Sequence, residues 1–296
     1  MKNELKMNTI DLGQATEDFI TYLDVNEETL RCYKEGIKKF LEYLKNIECK
    51  YPTREQIRGF REELSKSNSV YTVNSYLTSL RRFFDYLEAN NLYQDITKGI
   101  KSLKISKVPK KQVLSEEECK RIYRSLSDKR EKAIFSLAIT TGLRATEITL
   151  AKIENIKMYN GEVVLFVKCK KRDDESEYVK LSSEVLKDIQ DYIENRTSGY
   201  IFISTSYNNN GGGMSTVAIR SIVKNIFKRF GYDSDGFSCH SLRRSWATIA
   251  YKNGASIYDI KEVLHHSSIS TSARYIQQCT RDNNHTEQVV SNMLFC

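Results

Sequence analysis

"EVVLFVKCKKRDDESEYVKLS", residues 162–182, is the stretch where the chain changes period. Its two apolar runs, "EVVLFVKCK" and "SEYVKLS", are rich in Val, Leu, Phe and Tyr and flank the charged turn "KKRDDE". That is the pattern of two strands joined as a hairpin. Helical spacing resumes at about Ser183 and continues to near the end, broken by an Asn- and Gly-rich loop, "YNNNGGGM". The expected fold class is therefore mainly α with a small antiparallel β-sheet, the sheet confined to the second part of the chain.

Upstream of the hairpin the reading is helical. "TLRCYKEGIKKFLEYLKNI" (29–47) places Leu30, Tyr33, Ile37, Phe40, Leu41 and Leu44 on one face. "PTREQIRGFREELSK" (52–66) and "YTVNSYLTSLRRFFDYLEANN" (71–91) repeat the pattern, and a further helix near residues 14–23 makes a four-helix unit. Its Tyr and Phe residues read as core. A stretch without periodicity, "KSLKISKVPKKQ" (101–112), contains Pro109 and reads as a linker. Its Lys101, Lys104, Lys107, Lys110 and Lys111 suit either a solvated connector or a strap along phosphates. After it, Ser115 and Glu118 stand in capping-box spacing and announce a new helix. The expected division is 1–103, a linker at 104–112, and 113–296.

Composition narrows the class. The 296 residues are 40% hydrophobic and 28% charged, with 2 Pro, and no apolar run reaches the length of a membrane span. The opening "MKNELKMNTIDLGQ" has no apolar segment of the secretory kind, so a cytoplasmic protein is expected. Seven scattered Cys, with no CxxC pair, suit reduced thiols, and neither Cys239–His240 nor His265–His266 has metal-clamp spacing. No metal or cofactor is expected. Of the 46 basic and 38 acidic residues, 17 and 16 lie in residues 1–105, so the rest of the chain carries 29 and 22 and most of the net +8. A polyanionic partner fits this excess.

Four stretches hold the polar residues that carry chemistry. "TTGLRATEI" places Arg144 and Glu147 three apart, "VKCKKRDD" gathers Lys168, Lys170, Lys171 and Arg172, "HSLRRS" supplies His240 and Arg243, and "VLHHSSISTSARYI" supplies His266 and Tyr275. Two guanidiniums can clamp the non-bridging oxygens of a phosphodiester with a fixed bidentate geometry that Lys cannot reproduce. Arg144 and Arg243 are the candidates, and the fold must bring them together.

In order and separation these stretches resemble the catalytic boxes of the tyrosine recombinase (phage integrase) family, of a small two-domain kind. "TGLRATEI" resembles the first-arginine box, "HSLRRSWAT" the His-x-x-Arg box, and "VLHHSSISTSARYI" the last box, ending in a nucleophilic tyrosine. The resemblance implies that 1–103 is a helical, SAM-like core-binding domain and 113–296 the catalytic domain, the two forming a C-shaped clamp on duplex DNA. It implies Tyr275 as nucleophile, Arg144 and Arg243 on the phosphate, and a hairpin lysine as general acid. Aligning "FVKCKKR" on the family pattern favours Lys170 for that lysine, with Lys168 and Lys171 as rivals. His240 would bond a phosphate oxygen or assist proton transfer, His266 would bond the phosphate from the other side, and Glu147 would orient His240 or an arginine. A phosphotyrosyl link conserves bond energy, so no ATP is needed.

The implied partners are double-stranded DNA sites and three further copies of the chain, four protomers on two sites. The apolar tail "HTEQVVSNMLFC" would dock on a neighbouring protomer, and an accessory directionality factor is compatible with the family. Integration and excision of a mobile element is the expected role, with resolution of chromosome dimers or DNA inversion as alternatives. A type IB topoisomerase shares the chemistry but not the short two-domain layout, and a non-catalytic DNA-binding protein would have no need of the nucleophile. The chain departs from the family in two places. His265 stands where Gly usually precedes the last histidine, and the hairpin is poor in Gly.

Overall fold

Each of the first four helices begins on a side chain that accepts from its own first turn. Asp11 caps α1 (Leu12–Tyr22), Asn26 caps α2 (Glu27–Asn46) and Ser69 caps α4 (Val70–Ala89). Thr53 and Gln56 close a reciprocal capping box on α3 (Arg54–Ser67). Such caps satisfy amides that the helix leaves unpaired and contribute about 1 kcal/mol each. In this computed structural model the described residues are 10–105, 112–168, 177–205, 211–232, 236–266, 268–276 and 293. The chain divides into two compact units, Met1–Lys107 and Val108–Cys296.

The first unit is the expected four-helix arrangement. Phe19, Ile37, Phe40, Leu80, Phe83 and Phe84 are buried at its centre, and Tyr33, Tyr43, Tyr76 and Tyr86 pack against them as core residues. The chain beyond α4 is then stapled back onto the helices. Arg81 donates to the carbonyl of Ile100 and Arg61 to that of Lys101, while Asn74 exchanges two bonds with Leu103, at 2.9 and 2.8 Å. Lys101 and Lys104 are exposed beside these staples. Lys107, Lys110 and Lys111 lie outside the described residues.

In the second unit the Ser115–Glu118 capping box forms as its spacing predicts and opens α5 (Glu116–Ser125). Helices α6 (Lys129–Thr141) and α7 (Ala145–Leu150) follow, and then a three-stranded antiparallel sheet in the order β1-β2-β3. The two strands expected from the sequence are β2 (Glu162–Val167) and β3 (Glu177–Lys180), while residues 169–176 between them lie outside the described residues. The first strand, β1 (Ile156–Tyr159), was not expected. Three of its four residues are exposed, so the alternation that marks a half-buried strand is absent. The signal that announces it is the turn: Asn160 and Gly161 both have positive φ, 49° and 79°, which is the two-residue hairpin turn favoured by Asn-Gly.

Helices α8 (Ser183–Ile193), α9 (Thr216–Arg229), α10 (Cys239–Lys252), α11 (Ile257–Val263) and α12 (Ile269–Ile276) complete the unit. Helix α10 is the central element, packed on α6, α9, α11 and α12. A small apolar cluster of Ala247, Ile260, Leu264 and Ile276, with Trp246 and Tyr275 against it, holds α10, α11 and α12 together. Of the C-terminal tail only Met293 is described, and it is exposed. Among the described residues no helix is long and apolar enough to cross a membrane, and no group of metal-ligating side chains is found.

Gly142 ends α6 in the left-handed conformation, φ 65°, and its N–H closes the helix on Ala138. A methyl group there would lie 2.6 Å from Cδ2 of Leu264 and 3.2 Å from the Trp246 indole. Gly142→Ala therefore combines backbone strain with overlap in the packed cluster. We expect it to lower unfolding free energy by about 2 kcal/mol or more in urea titration. An unchanged midpoint would show that the turn relaxes freely.

Candidate active site

The site is built on the N-terminal turn of α10, the loop that follows α6, and the turn between α11 and α12. Arg243 sits at its centre. The side chain is only 2% exposed, yet its guanidinium reaches three acceptors on two other segments. Nη1 donates to the carbonyl of Gly142 at 2.6 Å, and Nη2 donates to the carbonyl of Leu264 and, at 3.1 Å, to Nε2 of His266. One side chain thus ties the Arg144 loop to the His266 turn. Nε of Arg243 is buried and has no hydrogen-bond partner among the described residues. A buried donor of this kind carries the full cost of desolvation unless a ligand satisfies it.

Glu147, 1% exposed, is the carboxylate between the two arginines. Oε1 accepts from Nη1 of Arg144 at 2.5 Å, and Oε2 accepts from the Arg144 backbone at 2.7 Å while lying 3.8 Å from Nη1 of Arg243. The two oxygens thus face both arginines. Arg144 begins α7 and is 31% exposed, so its guanidinium is held at one edge and open at the other. Burial lowers the pKa of Arg243, the neighbouring Arg144 charge adds to this, and Glu147 and Tyr275 oppose it. The group is still a cation at neutral pH, since arginine is effectively never deprotonated in proteins.

Tyr275 lies between two imidazoles. Its ring meets His240 and His266 edge-on, each with centroids 5.2 Å apart, at 81° and 73°. His240 is exposed in the first turn of α10, where the helix dipole favours an anion. His266 is buried and fully engaged. A guanidinium only donates, so Nε2 accepts from Arg243, and Nδ1 carries the proton and donates to Oγ of Ser272 at 2.8 Å. Burial first, and then the charges of Arg243 and Arg144, push its pKa down to about 3. In this arrangement His266 supports Arg243 and packs on Tyr275. Beside His240, burial pushes the Cys239 thiol up to about 11, so it does not compete as a nucleophile.

The structure thus brings Arg144, Glu147, Arg243, His266 and Tyr275 together with His240. Lys168 is exposed just beyond β2, and Lys170 and Lys171 lie outside the described residues. Sequence reasoning missed Ser272, which is completely buried. Its signal was helical spacing, since Ser272 and Tyr275 stand three apart on α12.

A helical unit followed by a helical catalytic unit with a three-stranded sheet, and Arg, His, Arg, His and Tyr gathered around α10, define a tyrosine recombinase. The chain belongs to the phage integrase family, whose pattern matches residues 112–281, and residues 16–91 match the N-terminal SAM-like domain of phage integrases. Tyrosine recombinase XerA of Pyrococcus horikoshii is 28% identical over 273 residues, which cover 90% of this chain and 89% of that protein. Among solved structures, the XerH site-specific recombinase in a post-cleavage complex with palindromic difH substrate shares the fold with a TM-score of 0.70. It is 20% identical, and the match covers 95% of this chain and 84% of that one. A lambda integrase tetramer bound to a Holliday junction does so with a TM-score of 0.69 and 16% identity, covering 90% and 78%.

The His266 environment has a measurable consequence. Folded, the ring stays neutral down to about pH 3, whereas in the unfolded chain it takes a proton near its ordinary 6.5. Between those values the unfolded state binds the extra proton, so stability falls as pH falls through that window. Lowering the pH from 7 to 5 should cost about 2 kcal/mol through this ring. The stability gap between wild type and His266→Gln should narrow by that amount in urea titrations at the two pH values. A gap independent of pH would contradict the assignment of a neutral, buried imidazole.

Proposed function

We propose that this chain is a site-specific recombinase that cleaves and rejoins duplex DNA through a 3′-phosphotyrosyl link to Tyr275. The observation that carries this reading is the pairing of Tyr275, held between His240 and His266, with the buried guanidinium of Arg243, whose Nε has no partner among the described residues. A phosphate oxygen entering beside Arg243 would satisfy that donor, with the open edge of Arg144 taking a second oxygen. The phenol would then attack phosphorus while the cations stabilise charge spreading over the non-bridging oxygens. The Tyr275 oxygen bonds to phosphorus, the bond from phosphorus to the bridging 5′ oxygen breaks, and that oxygen leaves as a hydroxyl. Reversal by a different 5′ hydroxyl joins the new strand, and the energy of the ester is conserved throughout.

His240, exposed against the phenol ring, is the group we assign to the proton leaving Tyr275 or to a phosphate oxygen. Glu147 holds both arginines, and His266 holds Arg243 in place of the phosphate contact expected of it. The leaving 5′ oxygen takes its proton from Lys170, with Lys168 the rival two residues earlier in the sequence. Lys101, Lys104, Lys107, Lys110 and Lys111 supply contacts along phosphates, a sequence-independent and salt-sensitive part of affinity. On this reading residues 1–103 and residues 113–296 each contribute contacts to DNA. Four protomers work on two DNA sites, a reading supported by the lambda integrase tetramer on a Holliday junction. The C-terminal tail would dock between protomers, and an accessory factor would set direction.

Integration and excision of a mobile element is the biological role we favour. Resolution of chromosome dimers is the second reading, favoured by a XerA relative matched over 89% of its own length. Recombination between directly repeated sites on one replicon, compared with joining of two separate molecules, distinguishes them.

Duplexes selected for binding from a randomised library and nicked beside the scissile phosphate test the chemistry. Wild type should accumulate a covalent adduct on denaturing gels, and peptide mapping should place it on Tyr275. Tyr275→Phe should bind the same duplexes with unchanged affinity and form none. An adduct that persists in the variant would move the nucleophile elsewhere. Lys170→Ala should slow adduct formation on ordinary DNA about a hundredfold or more. It should recover most of that rate when the bridging 5′ oxygen is sulfur, because a thiolate leaves without a proton. Selective recovery in Lys168→Ala instead would shift the acid by two residues.

A further inference from the structure

His265 occupies a position that its backbone reserves for glycine. It follows α11 with φ 49°; its N–H bonds to the carbonyl of Glu262, and the N–H of His266 bonds to the carbonyl of Lys261. This is the left-handed ending that glycine serves best, and an L side chain adopts it only against a steric penalty. The ring is nonetheless tucked inward, 8% exposed, with Nε2 3.6 Å from Oε2 of Glu177. Burial lowers the pKa of the ring, the Glu177 and Glu147 carboxylates oppose this, and Arg243 and Arg144 add to it. Nε2 faces a carboxylate at a distance beyond a direct hydrogen bond but within electrostatic contact.

Glu177 stands at the root of the hairpin. It is the first residue of β3 and is paired in register with Val167, the last residue of β2, which Lys168 follows directly. The contact therefore joins two parts of the site. On one side is the turn that carries His266 and leads to Tyr275. On the other is the strand pair that Lys168 directly follows. A glycine at 265 would serve the turn better and would leave that join unmade. A residue kept in an unfavourable conformation by its surroundings points to a use for its side chain.

From this geometry we propose that His265 is a positioning residue for strand cleavage, anchoring the hairpin root through Glu177 to the turn that presents His266. It rests on the recombinase reading. His265 acts through the hairpin root and not on the phosphate itself, so the step it affects is protonation of the leaving oxygen. Misplacement of a catalytic group by about 1 Å can cost up to a hundredfold in rate.

The test uses the nicked duplexes above and the full chain. His265→Gly keeps the turn, since its φ suits glycine, and loses the ring. It should form the Tyr275 adduct about tenfold more slowly than wild type at unchanged site affinity. Glu177→Ala should match it, and the double variant should be no slower than either single one, because both remove the same contact. His265→Asn tolerates positive φ and retains a donor, so it should recover part of the rate. On DNA with sulfur at the bridging 5′ position, His265→Gly should cleave as fast as wild type. Wild-type rates in His265→Gly would overturn the proposal, as would an equal defect on both substrates or losses that multiply in the double variant. If wild type itself forms no adduct on Tyr275, the recombinase reading fails and this proposal with it. A normal wild-type adduct with an unaffected glycine variant removes only the role of His265.

Discussion

The buried guanidinium of Arg243 is what draws the separate segments of the site to one place. Its hydrogen bonds reach Gly142, 101 residues earlier in the chain, and Leu264, 21 residues later, as well as the ring of His266. Hydrogen bonds to a charged donor contribute about 1.5–3 kcal/mol each, well above neutral ones. They must offset the desolvation of a full positive charge, and they do so only because three acceptors converge on one fork. The two carbonyls belong to chain reversals at Gly142 and His265, both with positive φ. Those reversals turn carbonyls inward that a continued helix would have kept for itself.

The same convergence sets the electrostatics around Tyr275. Two arginines share a single buried carboxylate, Glu147, so cationic charge is only partly compensated within the site. That suits a binding place for an anion whose charge spreads as the reaction proceeds. Donors already fixed in place need no reorganisation at that moment. The neutral state of His266 follows from the same surroundings, since a further cation beside two guanidiniums would be costly. Its proton stays on Nδ1, fixed by Ser272, and its lone pair faces Arg243.

Much of the local architecture was legible in the chain itself. Caps at Thr53–Gln56 and Ser115–Glu118 lie three residues apart and need no tertiary partner. Apolar spacing through Phe40, Phe83 and Phe84 marked helix faces that are indeed buried. The edge strand β1 was not legible through its side chains, because an edge exposed to solvent carries no apolar alternation; only Asn160–Gly161 announced it. His265 looked like a departure from a family pattern, and nothing in sequence spacing indicated that its ring meets Glu177, which lies on a strand far earlier in the chain.

Residue order and spacing alone established which chemical groups are available and on which local elements they ride. Arg144 opens a helix with Glu147 three residues on, Arg243 follows His240 by one turn, and Ser115 stands three residues ahead of Glu118 at a helix start. All of these follow from a period of 3.6 residues and from short-range capping. What those groups do to one another was settled by packing in three dimensions. It buried Arg243 while leaving Arg144 half open, turned Glu147 towards both arginines, and made His266 an acceptor towards Arg243. Each of these outcomes depends on desolvation and on contacts between residues far apart in the chain. Neither quantity is written in the spacing of a motif, because both arise only when packing excludes water and brings distant carbonyls to one guanidinium.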